Sequence, residues 1–289
     1  MGLVANAWTM SRIRLFEARS LSEADRLRGL RLEPITPLAR NGRWRRETPH
    51  VEALPVLIWI ARGQGRVLVN ARTRGFGPAT CLVIPPHTPF ALEPTAMTEG
   101  TLLRLPDLFE APLPADHRLL KLPDVGAQAE LVGLLDRLAR AGDISERANG
   151  RAALGRLILV SALVERLCTA QPEAALPQPA RLAARFAAAV EAHLGTGANL
   201  EAIGQELDVT PTHLTRTLRA TCGMTAMQYQ QARLMNEARR RLADTDDSAA
   251  SISQDLGFGS AAYFTRAFGK LTGQTPSAFR KMERRAVPA

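Results

Sequence analysis

The most legible chemistry in this 289-residue chain lies in two arginines fifty positions apart. Arg216 and Arg266 each follow a threonine, Thr215 and Thr265. A guanidinium can donate two parallel hydrogen bonds to guanine O6 and N7, while threonine and alanine can touch a thymine methyl or a phosphate. On the same helical faces lie Thr212, His213 and Arg219 in the first stretch, and Ala261 and Ala262 in the second. Thr210 and Ser260 head the two stretches, where a hydroxyl caps a helix and can also meet phosphate. These eleven residues are the candidate nucleic-acid contacts. His213 reads equally as a surface or partly buried packing residue.

Other chemistries have less support. The residues available to group as metal ligands are His50, Glu52 and His87. The chain holds five histidines in all, and a closed site needs three or four ligands with supporting hydrogen bonds. No metal or other cofactor is expected. Cys81, Cys168 and Cys222 are far apart and form no Cys-x-x-Cys pair, which favours a reducing cytoplasm. No Ser-His-Asp, phosphate-loop or dinucleotide motif stands in a convincing context, so an enzyme is not expected.

The two arginines fall inside an internal repeat. Ile203-Gly-Gln-Glu-Leu207 matches Ile252-Ser-Gln-Asp-Leu256 at an offset of 49. Past the turn the offset is 50, pairing Thr210 with Ser260, Leu214 with Phe264, Leu218 with Phe268, Gly223 with Gly273, Thr225 with Thr275, and Tyr229 with Phe279. Each copy reads as helix, tight turn, helix, with recognition helices near residues 210–222 and 260–272. Thr210 with Pro211, and Ser260, are the expected N-caps, and Gly223 and Gly273 the left-handed terminators. Thr225 to Leu242 can form one joining helix of about 27 Å at ~1.5 Å per residue. That length suits two recognition helices in adjacent major grooves, about 34 Å apart once the connecting turns are added.

The rest of the chain supplies a different grammar. Residues 51–105 hold short apolar runs, Leu54 to Ala61, Arg66 to Asn70 and Cys81 to Ile84, separated by Gly and Pro turns. They suggest a small antiparallel barrel or sandwich. From residue 124 the leucines repeat at helical spacing, giving two amphipathic helices. Residues 171–180, with Pro172, Pro177 and Pro179, read as a flexible linker. The fold class is α+β and multidomain. No apolar run reaches the ~18–20 residues of a membrane span. Arg12, Arg14, Glu17 and Arg19 argue against a secretory signal. Net charge is +9, but residues 1–46 carry +6 of it and residues 181–289 only +4. Net charge therefore points to a nucleic-acid partner less well than the position of the two arginines does.

Residues 182–285 resemble the AraC/XylS-type DNA-binding domain. The resemblance is carried by Asp255-Leu-Gly-Phe-Gly-Ser260, Tyr263-Phe-Thr-Arg-Ala-Phe268, Gly273-Gln-Thr-Pro276 and Phe279-Arg280. Gly204 and Ser253 stand where the family usually has Ala. Asp208 stands at a turn where Gly is usual, and Asp tolerates left-handed geometry better than most residues. The resemblance implies a transcription regulator, usually an activator, whose two helix-turn-helix units read adjacent grooves of a double-stranded DNA operator and which works with RNA polymerase. It covers about a third of the chain.

More weakly, Val56-Leu-Ile-Trp-Ile60, Gly63-Gln-Gly65 and Leu82 to Phe90 resemble the cupin-like sensing domain common in that family. Phe90 stands where a metal-binding cupin has histidine, and His50-Val51-Glu52 lacks the second histidine of the usual pair. This points to a metal-free barrel holding a small-molecule effector, with Trp44, Trp59, His87 and Arg104 as candidate lining residues. The implied organisation is a cupin-like sensing domain with a basic arm (1–123), a helical dimerisation segment (124–170), a flexible linker (171–180) and the DNA-binding domain (181–289). The expected molecule is a cytoplasmic homodimer with no membrane partner. Two alternatives stay open: a metal-dependent cupin enzyme, or a thiol redox sensor, fused to a DNA-binding module.

Overall fold

The computed structural model describes residues 23–35, 42–106 and 113–286. Much of the basic N-terminal stretch, including Arg12, Arg14, Arg19 and Arg40, lies outside the described residues. Among the described residues the N-terminal half holds eight strands: β1 (Arg31–Pro34), β2 (Val56–Arg62), β3 (Gly65–Val69), β4 (Arg72–Phe76), β5 (Thr80–Ile84), β6 (Phe90–Pro94), β7 (Glu99–Arg104) and β8 (Arg118–Lys121). They form a five-stranded sheet, β1-β7-β2-β5-β8, and a three-stranded sheet, β4-β3-β6, antiparallel throughout.

The apolar runs are continuous because both faces of the large sheet are covered. Side chains alternate along a strand. Leu57, Trp59, Cys81 and Val83 face one way, into a core shared with helices α3 (Val125–Ala139) and α4 (Arg147–Ala170). Val56, Ile58, Ile60, Leu82 and Ile84 face the other way, against Val67, Val69, Phe90 and Leu92 of the small sheet. The expected barrel is thus an open two-sheet sandwich backed by helices. Gly77-Pro78 and Pro85-Pro86 carry the chain between the sheets, and proline has no N–H to continue a ladder there.

Between α4 and the next helix, two side chains of residues 171–177 engage the strand-rich half. The Gln171 amide donates to the Lys121 carbonyl (2.7 Å) and accepts from its N–H (2.9 Å), along the exposed edge of β8. Glu173 pairs with Arg74 and Arg118. Gln178–Ala180 already belong to helix α5 (Gln178–Ala192), because Pro179 in a first turn interrupts no helical hydrogen bond.

The C-terminal part is entirely helical. After α5 come α6 (Leu200–Glu206), α7 (Pro211–Cys222), α8 (Ala226–Asp244), α9 (Ala249–Asp255), α10 (Ala261–Thr272) and α11 (Pro276–Ala286). Phe186, Ile203, Leu214, Leu218 and Tyr229 form the core of the first unit. Met235, Ala238, Leu242, Ile252, Phe264, Phe268 and Phe279 form the second. Helix α8 therefore gives its first half to one core and its second half to the other. Thr225 and Gln228 close a reciprocal capping box at its start.

The strand-rich half reaches into both cores. The β3–β4 hairpin turns on Asn70 and Ala71, with φ of 48° and 56°, a two-residue turn with both central residues left-handed. Ala71 is fully buried at this tip, packed with the first unit. One-turn helix α1 (Glu23–Arg26) precedes β1, and a second short helix, α2 (Trp44–Glu47), docks on the second unit. The Trp44 ring meets Phe279 edge-on at 5.6 Å, and its indole N–H donates to Glu283 (3.2 Å). Asn236 donates to the Trp44 carbonyl (3.0 Å), and Arg45 pairs with Asp244 and Glu283. Trp44→Ala is expected to cost about 3–5 kcal/mol, the usual penalty for emptying an aromatic site. Urea unfolding of the full chain measures it. A loss under about 1 kcal/mol would mean that Trp44 is not part of this core.

Candidate nucleic-acid interface

Each recognition helix is placed by its own cap and its own buried face. The Thr210 hydroxyl accepts from the His213 N–H (3.2 Å), Pro211 occupies the first turn, and Gly223 ends α7 at φ 78°. Ser260 accepts from the Tyr263 N–H (3.1 Å), and Gly273 ends α10 at φ 75°. Leu214 and Leu218 anchor α7, and Phe264 and Phe268 anchor α10, all fully buried. The turns before them are left-handed at Asp208 (φ 59°) and Gly257 (φ 73°), so the aspartate does adopt the conformation that the second unit gives to glycine.

The opposite faces point outward. Thr210, Thr212, Arg216 and Arg219 are exposed, with Thr215 and His213 half-buried. Arg216 donates to His213 Nδ1 at 2.8 Å, so these two side chains act as one polar unit. Ser260, Ala261, Ala262, Thr265 and Arg266 are all exposed; the Thr265 hydroxyl donates back to the Ala261 carbonyl (2.9 Å). Arg216, Arg219 and Arg266 have no acidic partner among the described residues. The Arg239-Arg240-Arg241 run differs. Arg240 and Arg241 pair with Glu237, Arg241 also with Asp255, and Arg239 is half-buried. Tyr263, exposed on α10 beside Arg266, was missed from sequence. Its signal was an aromatic one position off the buried Phe264–Phe268 face.

The four N-terminal candidates fall in separate places rather than in one pocket. Trp44 lies in the second helical core. Trp59 lies in the core beneath α3 and α4, its indole nitrogen buried with no hydrogen-bond partner among the described residues, beside a cleft of about 260 Å³. His87 is exposed on a loop at φ 56°. Arg104 is held between Glu33 (2.7 Å) and Glu52 (2.8 Å). Strand alternation turns Trp59 toward α3 and α4, and α2 carries Trp44 to the helical half. Burial pushes the Cys81 thiol up to about 12 and also raises Cys168 and Cys222. A redox sensor needs the thiolate that these environments oppose.

Comparison with known proteins concentrates on the C-terminal half. Residues 203–282 match the family described as "Helix-turn-helix domain". The chain is 33% identical over 85 residues to the bifunctional transcriptional activator/DNA repair enzyme AdaA of Bacillus subtilis, covering 29% of this chain and 40% of that one. It is 27% identical over 82 residues to the arabinose operon regulatory protein of Escherichia coli, 28% of each chain. The chain thus covers less than half the length of these relatives. Fatty-acid-bound ToxT of Vibrio cholerae aligns over 88% of this chain and 94% of its own, at 11% identity and a TM-score of 0.44.

One titratable group of the strand-rich half sits close to the helical half. His50 is packed on Phe90, with ring centres 4.3 Å apart, and its Nδ1–H donates to the Thr48 carbonyl (2.9 Å). Burial holds its pKa below the ordinary 6.5, outweighing that hydrogen bond and the pull of Glu52, while Arg233 and Arg104 lower it further. The folded state therefore prefers neutral His50. Its contribution is complete above the unfolded value and is lost as pH falls below 6.5 toward the depressed folded value. His117, also lowered by burial, adds to the same acid limb. His50→Gln should make urea midpoints less sensitive to pH below 6.5. An unaltered acid limb would assign it to other groups.

Proposed function

From the AraC-type helix-turn-helix domain that this chain carries in its C-terminal third, we propose that the whole protein is a sequence-specific transcription regulator. The observation that carries this reading is the pair Arg216 and Arg266. They stand at equivalent places on two capped recognition helices, outward-facing and without acidic partners among the described residues, and both units are built on one helix. Each arginine reads a base edge or a phosphate in one of two successive major grooves. Thr210, Thr212, His213, Thr215, Arg219, Ser260, Ala261, Ala262 and Thr265 surround them as backbone and methyl contacts. The action is activation through RNA polymerase, as the description of AdaA as a transcriptional activator supports. No helix among the described residues is long and apolar enough to cross a membrane, and the proposed location is the cytoplasm.

The strand-rich half, a cupin-like sandwich in this reading, controls the DNA-binding half in response to a small-molecule effector. Two of its contacts support such a route. Ala71 sits in the first unit and Trp44 in the second, so a change in the sandwich alters how the two units are held. The proposed homodimer forms through α4. Its solvent face carries exposed Ile158 and Leu159 beside Ala152, Gly155 and Ala162, spaced as one helical stripe with small residues that allow close approach.

Genome-wide mapping of bound DNA supplies the operator, and gel-shift titration then tests the contacts. Arg216→Ala and Arg266→Ala should each weaken binding by ~1–3 kcal/mol. Unchanged affinity with the fold intact would sink the assignment. Leu159→Asp should shift sedimentation from dimer to monomer; a dimer that survives this change does not use α4.

A further inference from the structure

A second feature of the helical half shares only Arg266 with the contacts above. A cavity of about 590 Å³ lies between the two units, walled by α8, α10 and the loop after α5. Its size is that of a small-molecule site. The two units meet along one wall with backbone against backbone. A Cβ on Gly195 would lie 2.3 Å from the Asp255 carbonyl oxygen, and one on Gly257 would lie 2.6 Å from the Gly197 nitrogen.

The lining is chemically two-sided. Met227, Tyr263 and Leu271 account for all the large exposed apolar side chains among the described residues after 180, and all three line this cavity together with half-buried Leu234. Exposed apolar groups scattered singly are ordinary, but three converging on one concavity mark a binding surface. Two cations, Arg266 and Lys270, stand one turn apart on the α10 wall, and neither has an acidic partner among the described residues. A groove built only to pass a DNA backbone would carry cations and polar groups in place of Met227, Leu234 and Leu271.

We infer that this cavity binds a small amphipathic organic anion, with an apolar body against Met227, Leu234, Tyr263 and Leu271 and a carboxylate or sulfonate at Arg266 and Lys270. This rests on the regulator reading in one respect. Arg266 is also a proposed DNA contact, so the occupied cavity withholds it and the anion excludes DNA.

The test uses the full chain and 1-anilinonaphthalene-8-sulfonate, a fused-ring sulfonate, first without DNA. A single saturable site is expected. Met227→Trp, which fills the cavity, and Lys270→Glu, which reverses a wall charge, should each weaken binding at least tenfold with the unfolding midpoint retained. N-phenyl-1-naphthylamine, the same body without the sulfonate, should bind more weakly than the probe and be indifferent to Lys270→Glu. Mapped operator duplex should displace the probe. Equal probe affinity in parent and both folded variants overturns the site, and a stable ternary complex with DNA overturns the exclusion. If the probe does not bind while both variants weaken DNA binding, the groove belongs to the DNA interface and the proposal fails. A chain that binds the probe as described but no duplex would sink the regulator reading and leave the cavity standing.

Discussion

Helix α8 is the constraint on which the rest of the C-terminal architecture depends. Its early residues, Ala226 and Tyr229, complete the core of the first unit, and Met235, Ala238 and Leu242 complete the second. Two small cores therefore share one rigid rod. The separation of the recognition helices is fixed by the rise of that rod rather than by a linker. Midway along it Arg233 is almost fully buried, with its Nε–H donating to Glu191 at 2.6 Å and its Nη1 in an ion pair with Glu237 at 3.6 Å. A desolvated pair of this kind adds little net stability, but removing one partner strands a buried charge. It acts chiefly to fix α5 against α8.

The strand-rich half is fitted to this rod at two points. The hairpin tip enters the first core through Ala71, a residue small enough to sit between helices, and α2 enters the second through Trp44. The aromatic contact is fixed by hydrogen bonds at both ends, from the indole N–H to Glu283 and from Asn236 to the Trp44 carbonyl. Such a two-point clamp ties any change in the sandwich to the placement of both units. A regulator that is to be controlled from its N-terminal half needs a connection of this type.

The helical half was largely legible in the sequence because its information is local. Thr210 with Pro211, Ser260, Gly223, Gly273 and the 3.6-residue spacing of the anchors each specify a short-range geometry, and the duplication wrote it twice. Asp208 was readable for the same reason. The N-terminal half was less legible because its decisive contacts are remote. Nothing near Trp44 indicates that its partners are Asn236, Phe279 and Glu283, about two hundred positions away. Arg104 resembles a ligand-binding cation until Glu33 and Glu52 are seen on either side of it. Nothing local in 171–180 indicates that Gln171 and Glu173 lie against β8 and β4.

The proposed regulator engages two successive major grooves with one chain, one groove with each recognition helix. Methylation protection of guanine N7 across a mapped operator tests it most directly, because N7 faces the major groove. Two protected clusters per half-site are expected, about one helical turn apart on the same face of the duplex. Arg216→Ala should clear one cluster and Arg266→Ala the other. A single protected cluster per half-site, or two clusters that disappear together with either substitution, would contradict it.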